Sequence, residues 1–190
     1  MIAADIRRVV EESAALKMRF FAESTPLLLE VGAKMAESVL GGGRVLAFGN
    51  GGSAADAQHL VGELVGRFRA DRPAVSALAL TTDPTVVTAV SNDMGFETVF
   101  RRQVEAHGRR GDVAIGISTS GRSPNVLEGL RAARERGMVT VGLTGNGGGA
   151  IADLVDHLVD VPHEDTARIQ EVHVMVLHVL CQVVEESIDR

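Results

Sequence analysis

The sequence contains no tryptophan and no tyrosine, and six phenylalanines are its only large aromatic side chains. A chain so furnished cannot bind its ligand chiefly by stacking it on an aromatic platform. A single cysteine, Cys181, excludes an intramolecular disulfide and suits a reducing compartment. No apolar run approaches the ~20 residues that cross a bilayer, and the N-terminus lacks the basic cluster and apolar core of a signal peptide. The expectation is a cytoplasmic protein without a membrane partner. Acidic residues outnumber basic ones by 25 to 19, and no Lys/Arg stripe is evident, which argues against nucleic-acid binding. Any anion must be held by local donors.

What is present is enough for one domain: 190 residues, 45% of them hydrophobic, with no linker-like break in composition. The whole chain, 1–190, reads as one unit, with residues 1–43 as a leading helical hairpin and 44–190 as an α/β core with its C-terminal helix. Apolar residues at helical spacing (Ile6, Val9, Val10, Leu16, Phe20) predict a first helix over 5–23. Thr25-Pro26 then reads as a cap and first helical position, opening a second helix over 27–40 that Gly41-Gly42-Gly43 ends. From Arg44 the pattern changes to short apolar runs at 44–48, 76–80, 112–118, 139–144 and 157–161, most of them followed by Gly, Ser or Asp and a helical stretch. These repeats predict a three-layer αβα sandwich around a five-stranded, mainly parallel sheet. In such sheets ligands bind beyond the carboxyl ends of the strands, so the loops there are the candidates.

The loop after the first strand, Gly49-Asn50-Gly51-Gly52, lets backbone N–H groups approach a ligand, and Ser53 stands where an N-cap would point a helix start at an anion. By itself the loop is equally a tight strand-to-helix turn, and it lacks the lysine of a P-loop. His59 and Glu63, at i and i+4, share a helix face about 6 Å apart along the axis, close enough to meet one metal ion or substrate. After the third strand, Ser118-Thr119-Ser120-Gly121-Arg122-Ser123 offers four hydroxyls, a glycine and a Ser-Pro helix start, a set of neutral donors suited to a phosphate monoester. The Ser91–Gly95 stretch forms a polar corner, and the glycines of 145–149 read as flexibility more than contact. The last helix, about 166–186, is apolar over much of its surface and carries Gln170, His173 and His178.

In combination, GNGGSAADAQH with Glu63 and GRFR, SNDMGFE, GDVAIGISTSGRSPNVL, GLTGNGGG and ARIQEVHVMVLHVL resemble the sugar isomerase (SIS) domain family, with its flavodoxin-like fold, over nearly the whole chain. Within it they resemble the phosphoheptose isomerases, which convert sedoheptulose 7-phosphate to D-glycero-D-manno-heptose 7-phosphate, the first step towards nucleotide-activated heptose. The resemblance implies that Asn50, Gly51, Gly52 and Ser53 border the sugar, and that Asn92 and Asp93 contact its hydroxyls. Ser118, Thr119, Ser120 and Ser123 would hold its phosphate. It implies one zinc ion held by His59, Glu63, Gln170 and His178, with Gln170 also reaching substrate and Glu63 and His178 as the proton-transfer pair. His173 is left structural, and Arg122 stands where relatives often have asparagine.

Gln170 and His178 lie about 12 Å apart along one helix, a long reach to a single ion, which suggests that a neighbouring subunit's last helix completes the site. A homotetramer, as in the resembled family, agrees. Two other functions compete: a non-catalytic SIS-domain regulator like the protein that associates with the bacterial replication initiator, and an isomerase of another phosphosugar. The joint presence of His59, Glu63, Gln170 and His178 separates the enzymes from the regulator.

Overall fold

The computed structural model describes residues 3–188. Its first element departs from the expected hairpin: α1 runs unbroken from Ala3 to Leu40, with Pro26 inside it. Proline removes one backbone donor and crowds the preceding turn, so the helix continues there only because packing outweighs the loss. The packing is visible on both sides of the proline. Leu16 and Phe20 before it, and Leu28, Val31 and Met35 after it, are buried in one apolar cluster. The Thr25 hydroxyl, expected as a cap, instead donates back to the Phe21 carbonyl at 2.5 Å.

Beyond α1, strands β1 (Val45–Gly49), β2 (Ala77–Ala79), β3 (Val113–Ile117), β4 (Val139–Gly145) and β5 (His157–Val161) form one sheet in the order β2-β1-β3-β4-β5. Every pairing is parallel. The connecting helices are α2 (Gly52–Val65), α3 (Pro84–Met94), α4 (Val99–His107) and α5 (Pro124–Glu135), and α6 (Thr166–Ile188) follows the last strand. The step from β4 to β5 is made by a single 3-10 turn, Gly149–Ile151. Asp83 caps α3, accepting from the Thr85 and Val86 amides, with Pro84 in the first turn.

Both sheet faces are covered, and alternation along the strands sorts the core into two layers. Val45 and Ala47 of β1 face a cluster with α1, α2 and α6, including Leu60, Leu64, Val172, Val176 and Leu180. Leu46 and Phe48 face the opposite cluster with α4 and α5, including Phe100, Val104, Val126 and Leu130. α6 is long and apolar enough to cross a membrane by length and composition, yet half of its apolar window is buried inside the protein. It packs chiefly on α1 and α2.

The chain leaves β1 toward β2 on one side and returns to β3 on the other. The loops after β1 and β3 therefore diverge and open a crevice at the carboxyl edge of the sheet.

Replacing Pro26 with alanine supplies the missing donor without touching the buried face of α1. The intrinsic gain of ~3 kcal/mol is reduced by up to about 1 kcal/mol of unfolded-chain entropy that proline had suppressed. Urea titration of Pro26→Ala is expected to show an unfolding free energy about 2–3 kcal/mol higher than wild type. An unchanged or lower value would show that α1 is shaped around the proline.

Candidate active site

Both loops at the crevice are built from backbone constraints. α2 has Gly51 at its N-cap position, with φ 57°, and no side chain caps it. Ser53, expected as the cap, lies inside the first turn with its side chain buried, because the positive φ at residue 51 lets the helix start earlier. Asn50 does not hang free. Its amide exchanges two hydrogen bonds of 2.8 Å with Asn125 at the start of α5, tying the two loops together.

In the β3 loop the Ser118 hydroxyl lies 3.0 Å from that of Ser123 and 3.4 Å from that of Ser120. The Arg122 amide donates to Ser120 Oγ at 3.3 Å, while the Arg122 side chain is exposed. Ser123 occupies the N-cap of α5 without capping it, since its hydroxyl is turned to Ser118. The start of α5 and three hydroxyls thus face one small region, with Thr119 half-buried between them.

That loop depends on glycines whose contacts the sequence did not disclose. A Cβ on Gly121, at φ 62°, would lie 1.9 Å from the Gly148 carbonyl oxygen. The Gly145 amide donates to Thr119 and the Ile151 amide to Gly121. The 145–149 glycines therefore form the floor under the hydroxyl loop, correcting their reading as flexible. The sequence signal that could have found them is the run of glycine itself, which permits close backbone approach as well as motion.

A second group lies further along α2. His59 Nε2 is 3.2 Å from Glu63 Oε1 and 3.2 Å from His178 Nε2, and the two imidazoles cross at 79°. The candidate ligand atoms of the three residues lie within 4.8 Å of one another. Tetrahedral ligands about 2 Å from a zinc ion stand roughly 3.3 Å apart, so two nitrogens and a carboxylate oxygen at these separations fit a divalent ion. All three residues come from one chain. His178 consequently needs no neighbouring subunit to join His59 and Glu63.

Gln170 sits elsewhere. Its amide packs on Gly52, where a Cβ would come within 2.4 Å of Nε2. Gly52 precedes His59 by seven residues, about 10 Å along α2. Hence α2 and α6 run side by side in the same direction, with Gln170 beside the glycine loop and His178 beside His59 and Glu63. Asn92 and Asp93 are exposed at the end of α3, bonded to each other at 2.8 Å. From the 3-10 turn that follows, Phe96–Thr98, the half-exposed Phe96 ring lines two clefts together with Asn50.

Three buried titratable groups flank the site. His173 is fully buried, with Nε2 3.0 Å from the Thr144 carbonyl oxygen and Nδ1 without a partner. Burial pushes its pKa down to about 4, against the opposing effects of that hydrogen bond and of Asp160. Asp56, one turn before His59, has one carboxylate oxygen without a partner, and burial pushes its pKa up to about 6 against the pull of His59. The Cys181 thiol is pushed up to about 12, first by burial and then by Glu63, and is chemically quiet.

Residues 10–145 match the SIS domain, and the chain belongs to that family. It is 55% identical to the phosphoheptose isomerase of Desulfovibrio desulfuricans over 92% of this chain and 83% of that protein. It is 50% identical to phosphoheptose isomerase 1 of Campylobacter jejuni over 95% and 93% of the two. The solved phosphoheptose isomerase of Neisseria gonorrhoeae superposes with a TM-score of 0.92 at 41% identity, covering 98% of this chain and 100% of the other. That of Francisella tularensis gives 0.94 at 35%, with the same coverage. Within the SIS family the chain therefore falls among the phosphoheptose isomerases, which are aldose–ketose isomerases.

His173 and Asp56 act on stability with opposite signs. Between pH 6.5 and 4 the unfolded chain protonates His173 while the folded one resists, so that contribution is complete above about 6.5 and is lost as pH falls toward 4. Folded Asp56 holds its proton up to about 6, so its contribution is complete below 3.8 and is lost as pH rises through 6. Each amounts to at most about 3 kcal/mol, and the two offset in the wild type. Thermal melts of metal-free protein are expected to fall more steeply from pH 6.5 to 4 in Asp56→Asn, and less steeply in His173→Gln. Parallel slopes in all three proteins would refute the assignment.

Proposed function

We propose that the protein converts sedoheptulose 7-phosphate to D-glycero-D-manno-heptose 7-phosphate through an enediolate, as the first step of ADP- or GDP-heptose biosynthesis in the cytoplasm. The observation that carries the mechanism is the convergence of His59, Glu63 and His178 at 3.2 Å separations, beside a crevice rich in hydroxyl and amide donors.

The phosphate is assigned to Ser118, Thr119, Ser120 and Ser123, which hold a dianion with neutral donors and the uncapped start of α5. Asn50, Gly51, Gly52 and Ser53 border the sugar, with Asn50 fixed by its amide pair to Asn125. Asn92 and Asp93 take sugar hydroxyls, and Gln170 reaches the substrate from beside Gly52. His59, Glu63 and His178 would hold one zinc ion, while Gln170, expected as a fourth ligand, stands beside Gly52 and is left to the substrate. When bound, zinc supplies a Lewis acid for the negative charge that develops on the sugar oxygens.

Glu63 is assigned the proton on C1, which it returns to C2, and His178 carries a proton between the two oxygens. Glu63 Oε1 faces His59, so Oε2 is the atom assigned to the carbon-bound proton. This division answers the weakness of a fully metal-bound carboxylate as a base. We further propose a homotetramer in which neighbouring copies wall each site. Val65 of α2 and Met175 of α6 are exposed apolar side chains on the helices that carry the cluster, and Met18, Leu29 and Leu40 recur every eleven residues along α1.

Metal-stripped protein is expected to regain conversion of the heptulose phosphate in D₂O on addition of zinc, with deuterium appearing at C2 of the aldose. Glu63→Gln is expected to lose at least about a hundredfold in rate. A folded, zinc-loaded protein without turnover would point to another phosphosugar or to a regulatory role, which a phosphosugar binding screen separates. Light scattering is expected to give about 80 kDa, four times the 20.1 kDa chain. A 20.1 kDa species with full activity would overturn the tetramer.

A further inference from the structure

Past the last turn of α2 the chain turns along α6, and a buried ion pair holds it there. Arg72 Nε lies 3.2 Å from Glu185 Oε1, with the two side chains only 1% and 6% exposed. The remaining Arg72 donors are committed to backbone. Nη2 donates to the Glu63 carbonyl at 2.8 Å, and Nη1 to the carbonyls of Leu64 at 2.9 Å and Pro73 at 3.0 Å. Arg72 thereby closes the C-terminal end of α2 through the carbonyl of Glu63 itself. Glu185 turns its other capacity to the loop, accepting from the Phe68 amide at 3.3 Å and the Arg69 amide at 3.1 Å. The Phe68 ring lies against His178, with centroids 5.5 Å apart and planes tilted by 30°. The outer face of Phe68 is covered by the Arg69 guanidinium, 5.0 Å from the ring centroid.

From this arrangement we propose that Arg72 and Glu185 are positioning residues for the His59–Glu63–His178 group. The deduction rests on the metal-assisted reading given above. One end of the pair holds the backbone of Glu63, and the other holds Phe68 against the imidazole of His178. A single buried contact therefore sets the last turn of α2 and the orientation of a ring on α6. Neither residue touches the substrate crevice described above. A buried ion pair is a poor source of net stability, because desolvation offsets most of the attraction, so its use here is geometric. Outer-shell partners of this kind typically affect metal affinity by ten- to hundredfold.

The test uses the full-length protein, with zinc or cobalt(II) alone as the probe in calorimetry. The double variant Arg72→Met/Glu185→Leu replaces the pair by apolar side chains of similar size, a change that buried ion pairs often tolerate. Circular dichroism and light scattering establish that it folds and assembles as wild type does. It is expected to bind metal ten- to hundredfold more weakly and to lose kcat, while KM for the phosphosugar stays within about threefold, because the phosphate loop is untouched. Arg72→Lys keeps the charge but loses the fork to both carbonyls, and it carries the test if the double variant does not fold. Glu185→Gln keeps an acceptor for the loop amides and is expected to recover part of the loss. A folded variant whose metal affinity and kcat stay within twofold of wild type would overturn the proposal. If wild type itself shows no saturable binding that His59→Ala abolishes, the metal-assisted reading fails and the positioning role falls with it.

Discussion

The parallel alignment of α2 and α6 is the constraint on which the site depends. It sets Gln170 beside Gly52 and His178 beside His59 and Glu63, and it carries Glu185 to Arg72 just past the end of α2. Burial of Leu60 and Leu64 from one helix with Val172, Val176 and Leu180 from the other supplies the apolar reason for the alignment. On the side of α6 that meets the sheet, the fully buried His173 is kept neutral against the end of β4. The polar residues of α6 thus divide by face. His178 emerges at the half-exposed seam with α2, and His173 turns into the core.

The second organising feature is the reversal of strand order at β1 and β3. It opens the crevice, but the shape of the crevice walls comes from close backbone contact. Gly121 under Gly148, Gly51 at the head of α2, and the paired amides of Asn50 and Asn125 each hold a donor-bearing loop in one geometry. Preorganised donors of this kind stabilise developing charge without reorganising during reaction. On the proposed reading, the hydroxyl loop and the His–Glu–His group serve different ends of one elongated substrate. One suits the phosphate and the other the carbon that exchanges its proton.

Much of the architecture was legible from local pattern. All five strands fall on the runs expected for them, with β1 and β4 each reaching one residue further, because short apolar runs and flanking turn residues are short-range signals. The hydroxyl loop and the His59–Glu63 pair were equally readable, since each is encoded within a few residues. The errors fell where distant packing overrode a local rule. Thr25-Pro26 carries the signature of a helix start, yet the apolar face of α1 spans it. The glycines of 145–149 resemble a mobile turn, yet they bear on the loop after β3. Ser53 has the chemistry of a cap, yet Gly51 takes that position by adopting a positive φ.

The sequence by itself determined the α/β class, the five strands, the donor loops and the membership of the SIS family, because these follow from spacing and motif within short windows. Only the tertiary structure decided that three residues separated by up to 119 positions meet at 3.2 Å within one chain, and that Gln170 lies two turns away from them. It also decided that Arg72 and Glu185, unremarkable as letters, are joined in the core behind the site. The physical reason is the same in each case. Spacing along a helix specifies which residues share a face, whereas the partner of that face is selected by burial against an element far away in the chain.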